Sequence, residues 1–402
     1  MVADATPAVF PRGVRILAIL LVLATVILLT LGALTTSFRA GMADPVWPTE
    51  PWFLIVNGHK YSLEPDRNFL LEHTHRAAGF TVGILASLLA IGVWWVGADR
   101  RPRWFGLVAI VALLVAYGGF HRQMGEAWKA RVDRQKALDA GLEALPMPDI
   151  FPLTDGLATA GCALALLAVC ALHVMSNQPG RWVRALTGVV LISVMIQGLL
   201  GGYRVYLDQL FGPLLSQIHG TFAQVVFAAM CCLPILMAKP KPERFLLEFD
   251  RARFGGLALA LPIVVFVQLV WGVMVRHTAS PLAQRLHLLT AFVVVGLAVW
   301  LTVRVRATPT ARRVLGFSTL HLIVMLAVQV MLGVEAWIGK FAAFGKQWNV
   351  LPTARDITPM LASIRSLHVL IGTAVLASAV VVALRTWRRM PSNFAYSSST
   401  DD

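Results

Sequence analysis

The feature that most limits what this chain can fold into is a run of about 20 apolar residues, long enough to cross a hydrocarbon core ~30 Å thick, recurring along its length. Such runs fall at 14–36, 69–97, 104–120, 153–175, 182–203, 216–238, 255–276, 286–306, 313–337 and 364–386, of which 104–120 is the shortest. Lipid offers the backbone no hydrogen-bond partners, so each run must satisfy its own N–H and C=O groups as a helix. The fold class expected is an all-α polytopic membrane protein with about ten transmembrane helices. Composition agrees, with 57% of the 402 residues apolar and 14% charged. Soluble domains carry roughly a quarter charged residues, so a water-soluble fold is excluded.

Charge placement gives the orientation. The net charge of +14 resides largely in Arg12/Arg15, Arg100 to Arg103, Arg181/Arg184, Lys239 to Arg253, Arg304 to Arg313 and Arg385 to Arg389. If ten spans alternate, all of these fall on one side, which the positive-inside rule makes cytoplasmic. The opposite loop 37–68 holds three basic and four acidic residues. Both termini are therefore expected in the cytoplasm, and the basic excess reports sidedness, not a nucleic-acid partner. The short stretch before the first run is unlike a cleavable signal sequence. Cys162, Cys170, Cys231 and Cys232 lie in apolar runs and read as buried small side chains. Residues 121–150, with Trp128 and three leucines among alternating charges, suit either an outer surface helix or a solvated connector.

A repeat divides the spans. Glu72-x-x-His75 opens the second and Gln284-x-x-His287 the eighth. Gln197-Gly-Leu-Leu-Gly201 precedes His219, as Gln329-Val-Met-Leu-Gly333 precedes His368. His75 to Gln197 is 122 residues and His287 to Gln329 is 42, and the excess of 80 matches two spans and the 121–150 loop. Two pseudo-repeated four-helix bundles follow: 1–98 with 181–240, and 254–390. A helical pair is inserted at 99–180, and 391–402 forms a cytoplasmic tail.

His75, His219, His287 and His368 each stand within about two turns of the outer end of a span, at one shallow depth. Ionisable groups inside a membrane are costly to keep and mark functional sites. Tetrahedral zinc would need all four to converge, whereas one pair per bundle suits axial ligation of two hemes. A small residue follows each histidine by one turn (Gly79, Ala223, Ala291, Gly372), leaving room for a flat macrocycle. Arg76, Arg276, Arg285 and Arg365 lie near the same level and suit carboxylates of such a ligand. His277 is the most plausible substitute ligand. His73 points off the His75 face, His173 and His321 lie deeper, and His59 and His121 are assigned to loops. Glu72 shares a helix face with His75, with neutral Gln284 as its counterpart. Beside a bound heme it could handle protons or orient oxygen species; alternatively it pairs with Arg76.

Glu72-x-x-His75-Arg76, Gln197-Gly-Leu-Leu-Gly-Gly202 with His219-Gly220, and the duplicated histidines together resemble the heme A synthase family. So do Leu34-Thr35-Thr36, Gly41-Met42-Ala43 and Trp47-Pro48 after the first span. The resemblance covers most of the chain outside 99–180. It implies oxidation of the C8 methyl of heme O to a formyl group by successive hydroxylations. Heme O, and heme A as product, would sit between His75 and His219, with Glu72 catalytic. A heme b between His287 and His368 would relay electrons. It further implies a bacterial plasma (inner) membrane setting, heme O supplied by heme O synthase, an electron donor of unspecified kind and a homo-oligomer in the lipid. The chain departs from the family in having ten spans for eight, no loop cysteine pair, Thr36 for an arginine and Val46 for an acid. The competing reading is a di-heme b-type cytochrome confined to electron transfer. A repeat-built transporter would want charged groups near the midplane and fits less well.

Overall fold

The computed structural model describes residues 10–41, 43, 55–56, 59–60, 67–96, 100–143, 146, 152–176, 178–238, 245–278, 280–344 and 357–388. Ten helices among them are long and apolar enough to span a membrane. They are α1 (Arg12–Ser37), α2 (Arg67–Trp95), α3 (Arg100–Asp139), α4 (Leu153–Met175), α5 (Arg181–Phe211), α6 (Pro213–Leu236), α7 (Glu248–His277), α8 (Pro281–Arg306), α9 (Pro309–Phe344) and α10 (Pro359–Trp387). The chain is an all-helical integral membrane protein, with one two-residue β-ladder, Ile55–Val56 against His59–Lys60, in the loop after α1. Val46 and the 391–402 tail lie outside the described residues.

The helices form two rings of four. In the first, α1 packs on α2, α2 on α5, α5 on α6 and α6 back on α1; in the second, α7, α8, α9 and α10 close in the same order. Each ring has its own apolar core. One is built on Leu21, Val82, Leu89, Leu191, Met230 and Leu233, the other on Phe254, Leu261, Leu301, Leu315, Leu322 and Val382. The rings meet along α1 and α6 on one side and α7 and α10 on the other. Polar contacts cross this seam: Thr373 donates to Gln224 Oε1 at 3.1 Å, and the Ser37 and Ser366 hydroxyls bond at 2.9 Å.

The inserted α3 and α4 pack on each other, and their pair leans on α2 and α5 from outside the first ring. Arg184 attaches it. The side chain is fully buried and donates to Val96 O (2.8 Å) and Pro179 O (2.6 Å), with His173 Nε2 at 3.0 Å. Carbonyls past the ends of α2 and α4 have no helical partner of their own, and the guanidinium supplies one. Trp94 packs on the His173 ring with centroids 5.1 Å apart.

Two sequence expectations are corrected by α3. The 104–120 span is part of a 40-residue helix, which at ~1.5 Å per residue is about twice as long as the hydrocarbon core. Residues 121–139 are thus neither a separate surface helix nor an irregular connector; they continue α3 out of the span. Their Arg, Lys, Gln, Glu and Ala residues hold helix through propensity and i,i+4 pairs such as Arg122–Glu126. His121 accordingly lies in a helix and not a loop, its ring against Phe80 and Tyr117.

Candidate functional site

Helix starts set the depth of the histidines. α8 and α10 open with the same device: Ser280 and Thr358 accept from the backbone N–H three residues on, each at 3.2 Å, and a proline follows at the first helical position. Proline gives up an N–H that has no helical partner there. α6 also begins at a proline, Pro213, after Gly212 at φ 51°. His219 and His287 stand six residues past the first residue of their helices, His75 eight and His368 nine. At ~1.5 Å per residue all four lie roughly 9–14 Å in from those ends.

Each imidazole then leans on a glycine of the helix before it. A Cβ at Gly32 would stand 2.7 Å from His75 Cε1, at Gly272 2.9 Å from His287 Cε1, at Gly333 3.1 Å from His368 Cε1 and at Gly201 3.5 Å from His219 Cε1. The residue four before each glycine is Leu28, Gln268, Gln329 and Gln197 in the same order. The molecule therefore repeats one hairpin four times, in α1–α2, α5–α6, α7–α8 and α9–α10. The sequence reading found the glutamine–glycine step before His219 and His368 but not its counterparts at Gln268–Gly272 and Leu28–Gly32.

The hydrogen bonds respect the two-ring repeat. His75 Nδ1 donates to Leu28 O at 3.2 Å and His287 Nδ1 to Gln268 O at 3.0 Å, at matching positions. A carbonyl can only accept, so these bonds fix the Nδ1–H tautomer and leave Nε2 with its lone pair. That arrangement is common in metal-ligating histidines. The His219 and His368 imidazoles, also at matching positions, interact in the same sense with the backbone of Gln197 and Gln329, but without the well-formed Nδ1 bond that His75 and His287 make. The Gln268 and Gln329 amides lie against His287 Nε2 (3.4 Å) and His368 Nε2 (3.2 Å). Thr290 Oγ1 donates to Gln268 Oε1 and braces it. Gln197 instead donates to the His219 backbone carbonyl at 3.1 Å.

His287 and His368 face each other with ring centroids 6.3 Å apart and planes at 76°. Two imidazoles on opposite sides of one metal ion, each bonded at ~2.0–2.1 Å, have ring centres roughly 6 Å apart. His75 and His219 are near enough for a charge on one to be felt at the other. Among the described residues no three His, Cys, Asp or Glu side chains gather as a metal site. A metal held by either pair would thus find two such ligands among the described residues.

The charged residues are distributed differently from the sequence expectation. Glu72, 4% exposed, is bound by Arg76 Nη2 at 2.5 Å, so these two charges are committed first to each other. Arg276 donates to Ala33 O (2.7 Å) and Ser37 Oγ (2.8 Å) across the seam, with Arg365 O at 3.5 Å. Much of its donor capacity is therefore structural. Arg365 and Arg276 still line a small cavity at the outer seam, together with Thr36, Ser37, Ile357 and Arg39. Arg39 escaped the sequence reading, as did Arg204, whose guanidinium lies against Gly41 and within electrostatic reach of His75, His219 and His277. Arg204 follows Gly201 by three residues, and that spacing is the signal that would have found it. Arg285 is exposed and stands apart from the cavity lining.

The remaining histidines have other work. His277 ends α7 near His219. His73 is buried and stacks on Phe69 at 5.5 Å, and His321 Nδ1 lies 3.1 Å from Ser378 Oγ. No family model, curated protein or solved structure matches the chain.

Proposed function

We propose that this chain is a heme A synthase, binding heme O between His75 and His219 and a heme b between His287 and His368, and oxidising the C8 methyl of the first to a formyl group. The observation that carries the reading is the spacing of His287 and His368, ring centroids 6.3 Å apart within one four-helix ring, with His75 and His219 of the other ring within electrostatic reach of each other. Two further features support porphyrins over a bare ion. Each pair offers two nitrogen ligands and gathers no third His, Cys, Asp or Glu among the described residues, which suits a ligand that brings the rest of the coordination sphere itself. Glycine at Gly32, Gly272 and Gly333 keeps the neighbouring helix from crowding the His75, His287 and His368 rings.

Once bound, iron porphyrins supply the redox and oxygen chemistry; the protein supplies position, charge and exclusion of water. His75 and His287 are fixed by their Nδ1–H bonds to Leu28 O and Gln268 O. Arg365, Arg276 and Arg39 form a cationic rim suited to heme propionates above the second pair, and Arg204 with Arg76 does the same for the first. Glu72, on the same helix face as His75, is the only acid among the residues assigned to either pair, and it carries or orients protons for the oxidation. The chain lies in a bacterial plasma membrane with the histidine level facing outward and both termini inside.

One observation favours the di-heme carrier reading. The Glu72–Arg76 ion pair is also what a charge-neutralising structural contact would look like. Expression in a host that makes heme O but no heme A separates the two. Heme A in the extracted, chromatographed hemes is expected; folded protein holding only heme b and heme O would overturn the enzymatic reading.

A further inference from the structure

The end of the second ring opposite its histidines carries a cavity that the proposed function does not use. It lies where α8 turns into α9, has a volume of about 480 Å³ and is lined by Arg306, Arg312, Gly316, Phe317 and Leu320. Ordinary ligand sites run to roughly 300–1,000 Å³. Arg312, Gly316 and Leu320 recur every four residues and so share one face of α9. Phe317 and Leu320 are 77% and 42% exposed. They stand roughly 12–17 Å along the helix from Pro309, inside the span, so what they are exposed to is acyl chain. Gly316 leaves a dip between the guanidinium and these apolar side chains, with the Arg312 stem close over it: a Cβ there would meet Arg312 Cγ at 3.3 Å.

Arginines at this end also serve sidedness, but these two differ from their neighbours. Arg304 lies over the Trp300 ring at 5.9 Å, Arg385 donates to Ser318 Oγ at 2.7 Å and Arg388 donates to Ile235 O at 3.0 Å. Among the described residues, Arg306 and Arg312 make no ion pair and no side-chain hydrogen bond. No acid occurs from Pro281 to Val334. Asp250, which reaches this turn from α7, is 3% exposed and accepts from the Thr310 hydroxyl. The cavity is thus cationic at its mouth, apolar on its membrane side and short of a counter-charge.

We propose that this cavity binds one anionic glycerophospholipid, its phosphodiester between Arg306 and Arg312 and an acyl chain along Gly316, Phe317 and Leu320. Guanidinium groups match phosphate oxygens with paired N–H bonds, and basic pockets between transmembrane helices recognise such headgroups. A soluble anion would meet only the mouth of this lining, whereas a lipid matches both of its parts. The proposal rests on the membrane-spanning fold and is independent of the heme sites.

The test is native mass spectrometry of the detergent-solubilised full chain titrated with dioleoyl phosphatidylglycerol or dioleoyl phosphatidylcholine. One phosphatidylglycerol per chain is expected to bind well ahead of phosphatidylcholine. Arg306→Gln combined with Arg312→Gln should weaken it about 25-fold, taking about fivefold for each arginine beside an anionic headgroup. Arg304→Gln combined with Arg313→Gln removes the same charge outside the cavity lining and should stay within about threefold of wild type. Gly316→Leu keeps both arginines but fills the dip, and it should also weaken phosphatidylglycerol. Elution volume and helicity check the folding of each variant. Equal weakening by the two double variants would reduce the effect to bulk charge and overturn the site. Wild-type affinity in the Arg306/Arg312 variant or in Gly316→Leu would overturn it too, as would equal binding of the two lipids. Displacement of phosphatidylglycerol by excess inorganic phosphate would assign the arginines to a free anion and defeat the lipid assignment.

Discussion

Substituting alanine for the seat glycines tests the packing argument without touching a ligand. At Gly272 the added Cβ would meet His287 Cε1 at 2.9 Å and Nδ1 at 3.3 Å, where ordinary contact begins near 3.4 Å. The ring must retreat by about half an ångström, which stretches the 3.0 Å bond from Nδ1 to Gln268 O beyond useful length. Overpacking of this kind costs ~1–3 kcal/mol, and the lost hydrogen bond ~0.5–1.5 kcal/mol. In the free protein the imidazole escapes the strain by swinging aside, so most of the cost falls on the loaded state. A total of about 3 kcal/mol corresponds to roughly 100-fold weaker hemin binding at the second pair. Gly32→Ala should act likewise on the first pair, since its Cβ would lie 2.7 Å from His75 Cε1. Gly201→Ala is the control, because 3.5 Å to His219 is normal contact, and its affinity should stay within about threefold of wild type. Hemin titration at the Soret band, with helicity and elution volume as folding checks, reads all three. Equal weakening by Gly201→Ala and Gly32→Ala, or wild-type binding by Gly272→Ala, would refute the seat argument.

Three other predictions follow from different parts of the molecule. If Glu72 serves the oxidation, Glu72→Gln and the double variant with Arg76→Met should both stop heme A formation while leaving second-site heme in place. Activity that returns in the double variant would reduce the pair to charge neutralisation. Arg184→Met removes the capping guanidinium from Val96 O and Pro179 O and should lower stability by about 3–5 kcal/mol, seen as a drop in the thermal unfolding midpoint in detergent; an unchanged midpoint would contradict its role as the attachment of α3 and α4. In a background freed of the four native cysteines, Asp133→Cys on distal α3 should react with an impermeant maleimide in intact cells and Arg312→Cys only after permeabilisation. The reverse pattern would invert the assigned orientation.

The spans were legible because lipid leaves little choice: an apolar run of sufficient length has to be a helix, and the 153–175 expectation matches α4 residue for residue. Distal α3 was not legible in the same way. Its polar residues show no apolar period, and continued helix there depends on propensity and local ion pairs, which are weak guides to whether a chain turns or runs on. The histidine level could be read from span ends, but the quality of each histidine's seat could not. Gln268–Gly272 and Leu28–Gly32 look like ordinary transmembrane sequence until folding brings each glycine under an imidazole on the next helix. Arg276 shows the converse limit. Its position near the outer end suggests an anion partner, and only the packed seam reveals that Ala33 O and Ser37 claim much of it.

Why one fold repeated twice should give two unlike sites can be argued from where the repeats differ. The backbone frame is shared: same helix order in each ring, a glycine under each imidazole, and matching Nδ1 bonds from His75 and His287. The differences sit at two places. Three residues before the first histidine of each ring, Glu72 answers to Gln284. Four residues before the glycine seats, the second ring carries Gln268 and Gln329 with amides against His287 Nε2 and His368 Nε2, whereas the first has Leu28 and a Gln197 turned to the backbone. The ring with the extra acid is therefore also the ring whose Leu28 and Gln197 place no amide on an imidazole. On the proposed reading those two departures belong together. An oxidation needs a proton-handling group beside the reacting porphyrin, while an electron relay is served by neutral surroundings and two well-held ligands. A variant carrying both Leu28→Gln and Glu72→Gln should accordingly make the first site behave like the second, with low-spin heme that exchanges slowly and is not oxidised. First-site heme that remains oxidisable in that variant would show that the asymmetry lies elsewhere.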